Sequence, residues 1–274
     1  MTSSVAAAAQ EEASAAAAYD VFAAFYDDFT EHQDYDWWWS ALLPLAEAAG
    51  LPGTRVLDVA CGTGKSLGPL LARGWSAVGT DASGAMLAQA RRKLGPAVPL
   101  VEHDMRDLPV LGNFDLISCL NDALNNVRDE QQLVATFAGF RRNLAPGGVV
   151  VFDVNTIRTF RTYGALVVQE PGRVLIAEGR DSDGDFEPGA LLRVDFTMLE
   201  RGDDHAWSGA HSSHLQRHHP DADVRRALSA AGLEFVAVHG QLMFDIGELD
   251  ELRDEKAVYV ARAPREEPEG GERR

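Results

Sequence analysis

The chain has 274 residues, 46% of them hydrophobic, which is enough for one α/β domain of ordinary size with an added subdomain. Its 42 acidic residues against 25 basic ones leave a formal charge of −17, which repels polyanions and argues against nucleic-acid and anionic-membrane partners. No apolar run reaches membrane-spanning length, the first residues lack the basic region of an export signal, and the two cysteines, Cys61 and Cys119, sit in or beside apolar strands as buried thiols, so a reducing cytoplasm is expected.

In chain order, residues 1–18 are alanine-rich and are expected to fray. Residues 19–50 form a helical segment. In it Tyr19, Phe22, Tyr26 and Phe29 recur at helical spacing, and Trp37-Trp38-Trp39 must turn at least one ring outward, which suits packing better than a substrate wall. Residues 51–156 alternate apolar strands (56–60, 77–80, 100–102, 116–120 and 149–154) with helices such as 82–94 and 131–143, the pattern of a parallel sheet with crossover helices. Pro146-Gly147-Gly148 is expected to turn the chain into the fifth strand. Residues 157–217 carry three β-rich runs (166–177, 191–199 and 206–214) and read as an antiparallel insertion. Over 218–263 a helix (221–231) and two strands (235–239 and 257–263) complete a doubly wound, mostly parallel sheet of seven strands, and 264–274 is a charged tail of disordered composition.

The chemistry gathers around Asp58-x-x-Cys61-Gly62-Thr63-Gly64, where an apolar strand runs into a glycine turn, with a helix starting near Lys65. Glycines there permit positive φ and close approach of a ligand to the backbone. Three readings compete. A phosphate-binding P-loop needs a glycine where the chain has Val59. A dinucleotide turn fits loosely through Gly62, Gly64 and Gly68. A sulfonium-nucleotide turn fits the order of residues, and the Asp58 carboxylate suits a cationic ligand. Asp81, at the end of the second strand, could hold a ribose in either nucleotide reading. The four histidines His211, His214, His218 and His219 raise the possibility of metal, but no cysteine lies near them in sequence and no metal is expected.

The later motifs follow in a characteristic order. They are Asp81-Ala82-Ser83-Gly84-Ala85-Met86, then Asp104-Met105 after the third strand, Leu120-Asn121-Asp122 after the fourth, and Leu144-Ala145-Pro146-Gly147-Gly148 before the fifth. Over residues 19–263 the chain resembles class I S-adenosylmethionine-dependent methyltransferases of small molecules. It is most similar to amino-sugar and glycine-type N-methyltransferases, with the sugar enzymes of antibiotic pathways nearest. The resemblance implies S-adenosyl-L-methionine as cofactor. It would be held by Asp58, Ala60, Cys61, Gly62 and Gly64 at the turn, Asp81 on the ribose, and Ala82, Met86, Asp104, Met105 and Leu120 around the adenine and sulfur. Tyr19 and Tyr26 would lie in an N-terminal lid. It also implies a catalytic group of Asn121, Asp122, His214 and Tyr26, with His218 as a further face of the pocket. The expected partner is a small-molecule amine, with a homo-oligomer left open. O- or C-methylation and non-catalytic cofactor binding are the alternatives.

Overall fold

The computed structural model describes residues 15–180 and 186–265. The expectations for 1–14 of the alanine-rich start and for 266–274 of the tail lie outside them. Among the described residues no helix is long and apolar enough to cross a membrane.

Three helices precede the first strand: α1 (Ala15–Phe22), α2 (Tyr26–Phe29) and α3 (Tyr35–Ala48). The core then alternates β1 (Arg55–Val59), α4 (Leu67–Ala72), β2 (Ser76–Asp81), α5 (Gly84–Leu94), β3 (Leu100–Glu102), β4 (Phe114–Cys119), α6 (Glu130–Asn143) and β5 (Leu144–Asn155). After α7 (Ile157–Thr162) come β6 (Ala165–Glu170), β7 (Arg173–Arg180), β8 (Leu191–Arg201) and β9 (Trp207–Arg217). The chain closes with α8 (Asp221–Ala230), β10 (Glu234–Leu242), β11 (Asp245–Gly247) and β12 (Lys256–Arg262).

The main sheet has the order β11-β10-β12-β5-β4-β1-β2-β3. Strands β1 to β5 pair in parallel, whereas β12, β10 and β11 pair antiparallel. The sheet is therefore doubly wound and mostly parallel as expected, with one strand more than seven. The extra strand, β11, is a three-residue edge too short to leave a periodic signal.

Adjacent side chains in a strand point to opposite faces, and here they feed two cores. Leu57, Ile117, Val150 and Phe152 pack with Phe137, Phe140 and Leu228 of α6 and α8. Val56, Leu116, Val149 and Val151 pack with Trp39, Leu42, Leu70 and Leu87 of α3, α4 and α5. Burial on both faces is why β5 reads as an unbroken apolar run. The tryptophan triplet belongs to the second core. Trp39 is fully buried and its Nε1 donates to the Ser66 carbonyl at 2.7 Å, while the outward ring, Trp37, packs on Phe244.

Pro146-Gly147 is a bulge within β5 and not a turn before it. The pairing slips between Phe114↔Leu144 and Leu116↔Val149, with Gly147 at φ +72°. The insertion is a separate four-stranded antiparallel sheet, β6-β7-β8-β9. The first expected run divides there into a hairpin at Pro171-Gly172, where Gly172 takes φ +80°. This sheet packs on α1 through a third core that includes Phe22, Phe160, Val194 and Phe196.

Candidate functional site

In the main sheet β1 lies between β2 and β4, so the strand order reverses there. Ligands of such sheets bind beyond the carboxyl ends of the strands at that point. The ends of β1, β2, β3 and β4 deliver Ala60 and Gly62, Asp81 and Ala82, Asp104 and Met105, and Leu120 and Asn121 to one cavity of about 380 Å³. α1 closes it with Tyr19, and Tyr26 of α2 adds to the wall.

Three hydrogen bonds shape the turn. Cys61 N donates to the Thr80 carbonyl at 2.9 Å, Gly62 N to Asp81 Oδ2 at 2.8 Å, and Ser83 N to Asp81 Oδ1 at 2.9 Å. Asp81 thus joins the glycine turn to the start of α5, while Ser83 is the helix cap, its hydroxyl accepting from Met86 N at 3.1 Å. Ala60 and Gly62 both take positive φ, 55° and 54°, a strained choice for alanine.

Of the expected cofactor residues, Tyr19, Ala60, Gly62, Asp81, Ala82, Met86, Asp104, Met105 and Leu120 line this cavity. Asp58, Cys61 and Gly64 do not. Asp58 is buried behind the turn, taking hydrogen bonds from the Ser66 hydroxyl and from Ser118 Oγ at 2.6 Å, and burial pushes its carboxyl up to about 6. The Cys61 thiol turns toward β2, where a Cβ on Gly79 would meet its Sγ at 2.9 Å. Gly64, at φ +77°, makes room for α5, since a Cβ there would stand 2.7 Å from Leu94 and 3.2 Å from Ala90. These three form the turn from beneath. α4 begins at Leu67, two residues past Lys65, whose Nζ donates to the Thr30 carbonyl at 2.6 Å. The Asp104 carboxylate is gripped by the Arg106 guanidinium, which holds it below the ordinary carboxylate range against the opposing effect of burial.

A second cavity, of about 360 Å³, adjoins the first through shared walls of Tyr19, Tyr26 and Asn121. It also receives Asp122, His214 and Gln216, and the insertion covers it with Val194 and Phe196. Asn121 and Asp122 are consecutive left-handed residues, φ 61° and 53°. A buried carboxylate holds them there: Asp153 takes Asn121 N at 2.6 Å and Asp122 N at 2.8 Å. Lys256 Nζ stands 2.7 Å from Asp122 Oδ1 and 2.8 Å from Asp153 Oδ2, and Gln216 Nε2 donates to Asp122 Oδ2 at 3.0 Å. Burial alone would lower the Lys256 pKa, but the two carboxylates together outweigh it and keep the ammonium charged.

Asp153, Gln216 and Lys256 carry no recognisable motif. A lone acid inside the apolar run of β5 was the available signal for Asp153. Lys256 pairs across 134 residues of chain and left none.

His214 sits against Tyr19, Phe22 and Phe196 at centroid distances of 4.6, 5.8 and 4.9 Å, and burial pulls its imidazole down to about 4. His218 faces away from the cavity, past the end of β9, where it accepts from Gly189 N at 3.2 Å and packs on Phe160. His219 Nε2 donates to the Leu124 carbonyl at 3.1 Å, and His211 is exposed on the far side of the strand. Among the described residues these histidines make no metal-binding group.

The first cavity fits a sulfonium nucleoside. It has a carboxylate for a ribose, a cleft with apolar walls from Met86, Met105 and Val127, and a buried Asn126 Oδ1 with no partner of its own. Residues 56–148 match the family described as a methyltransferase domain. A sugar-nucleotide N,N-dimethyltransferase of Streptomyces venezuelae, acting on dTDP-3-amino-3,4,6-trideoxy-α-D-glucopyranose, is 30% identical over 227 residues, 81% of this chain and 92% of that one. The match to the protein YqeM of Bacillus subtilis is 34% over 142 residues, so the chain spans only a little over half, 56%, of that relative's length. The fold is that of a solved S-adenosylmethionine-dependent methyltransferase from Clostridium acetobutylicum, with a TM-score of 0.75 at 22% identity over 90% of this chain and 99% of that one. The chain belongs to the class I S-adenosylmethionine-dependent methyltransferases.

Proposed function

We propose that the chain methylates the nitrogen of a small-molecule amine, of amino-sugar type, bound in the second cavity. The observation that carries this is the placement of Asn121 and Asp122, fixed by Asp153 and Lys256 where the two cavities meet. The similarity to the sugar N,N-dimethyltransferase supports nitrogen as the acceptor.

In this reading Gly62 and Asp81 hold the cofactor's methionine part and ribose, and Met86 and Met105 its adenine. When bound, S-adenosylmethionine supplies an electrophilic methyl on a positive sulfur, whose C–S electron pair returns to sulfur as the C–N bond forms. The protein's contribution is position, worth on the order of 7–11 kcal/mol for well-aligned reactants. Asp122 accepts a hydrogen bond from the amine and aims its lone pair toward the walls both cavities share, Tyr19, Tyr26 and Asn121. Burial raises both phenols, so they stay neutral and act as hydrogen-bond groups. His214, unprotonated above about pH 4, can accept a hydrogen bond but holds a proton too weakly to store one, so the amine's proton leaves to water. The aromatic wall and the Asp122 charge favour the ammonium that forms. Cys61 and Cys119, both buried and free, suit a reducing cytoplasm.

Asp122→Asn tests the assignment. It keeps the shape and removes the charge, so kcat on an amine acceptor should fall by about tenfold or more while the Kd for S-adenosylmethionine changes less than threefold. An equal loss in both would move Asp122 into the cofactor site and sink the proposal.

A further inference from the structure

The second cavity is walled by two cations, and each already faces a carboxylate. Lys256 is locked between Asp122 and Asp153, and Arg158 stands 3.3 Å from Glu255 Oε1. Both cations line the cavity, as do Asp122 and Glu255, while Asp153 lies directly behind the wall. The four lining charges therefore cancel, and neither cation is left without a carboxylate. The start of α7 gives little help to an anion. Arg158 N donates to the Glu251 carbonyl, Thr156 N to the Glu255 carbonyl, and the hydroxyls of Thr156 and Thr159 to carbonyls of Asp254 and Glu255. The whole chain, at −17, adds to the repulsion.

A nucleoside diphosphate brings two negative charges that must meet free cations or free amides, because an uncompensated anion taken from water is expensive. An ammonium meets the reverse situation: a carboxylate and a ring wall of Tyr19, Tyr26 and Phe196. Resting on the reading above, we propose that the acceptor is an amine carrying no phosphate: a free amine, or an amino sugar attached to an uncharged group and not to a nucleoside diphosphate. The chain would then differ in substrate from the dTDP-sugar enzyme it resembles.

Calorimetric titration of the S-adenosylhomocysteine-loaded protein with dTDP and with inorganic pyrophosphate tests this. The expected result is no binding at millimolar concentration, with Glu255→Gln, which frees Arg158, gaining at least tenfold in affinity for both. Saturable submillimolar binding of dTDP to the unaltered protein, lost in Arg158→Ala, would overturn the proposal, and so would a Glu255→Gln variant no better than the original. A 3-amino sugar should also be methylated as its methyl glycoside with a kcat/KM no more than tenfold below that of its dTDP conjugate; a hundredfold preference for the conjugate is incompatible with the proposal. Failure to bind S-adenosylhomocysteine, or turnover of neither sugar, would count against the cofactor or amine assignment separately, since the nucleotide titration does not require a correct acceptor.

Discussion

Asp81 does two things at once. Its oxygens hold the amides of Gly62 and Ser83, and its remaining lone pairs face the cofactor cavity. Asp81→Ala therefore removes a ribose acceptor and loosens the turn that shapes the cavity. Hydrogen bonds to a charged group contribute about 1.5–3 kcal/mol each, so the Kd for S-adenosylmethionine should rise at least tenfold, read by calorimetry. An unchanged Kd would remove Asp81 from the cofactor site. At this scale the sequence was legible wherever a residue announced itself by its neighbours. The glycines, Asp81 and Asp104-Met105 lie beside turns of fixed chemistry. Asp58 illustrates the limit: its place beside the turn was readable, but whether it faced the ligand or two serines depended on Ser66 and Ser118, eight and sixty residues away.

Among the elements, α1 is the one that joins everything. Tyr19 lines both cavities, Phe22 stacks on Phe196 of the insertion at 4.5 Å, and Asp20 Oδ1 accepts from Ser83 Oγ at 2.6 Å and from Ala85 N at 3.1 Å. The helix is thus pinned to the head of α5, over the first cavity. Asp20→Ala breaks that pin without touching a cavity wall. It should raise the KM for S-adenosylmethionine several-fold and speed proteolysis ahead of α2, with the melting temperature of the core little changed. Equal protease resistance in the variant would show that the pin does not hold the helix. Spacing marked the aromatic positions of this segment but not its shape: the run divides at 23–25 into α1 and α2, and residues 15–18, expected to fray, form the first half of α1. Its partners were not readable either, because they come from Ser83 and from β8, far along the chain. The insertion shows the same limit. Its strands were visible as β-rich runs, whereas the tight turn at Gly172 that splits the first run was hidden inside them.

For the whole molecule, buried histidines and buried carboxylates oppose each other in the response to acid. Burial holds His214, His218 and His219 at about 4 against an ordinary 6.5, so the unfolded chain binds protons that the folded one refuses. Their contribution to stability is complete above pH 6.5 and is lost as the pH falls through 4. Asp58, raised from 3.8 to about 6, acts with the opposite sign: its burial costs stability above pH 6 and that cost is relieved on acidification. Asp81 and Asp153, raised by burial as well, act with the sign of Asp58, so the histidine share is read by difference. In urea unfolding, the stability lost between pH 7 and pH 5 should be smaller in His218→Gln than in the unaltered protein. An equal loss in both would mean that this imidazole is not held neutral.

The placement of α1 over both cavities has a kinetic consequence. If one helix gates both, spent cofactor and methylated amine leave through the same opening. A second methyl on the same nitrogen needs fresh cofactor, so the gate must open while the singly methylated product is still inside. Each opening gives that product a chance to diffuse away. Double methylation by such a site is distributive: the monomethyl amine accumulates in solution first, and the dimethyl product appears only after a lag.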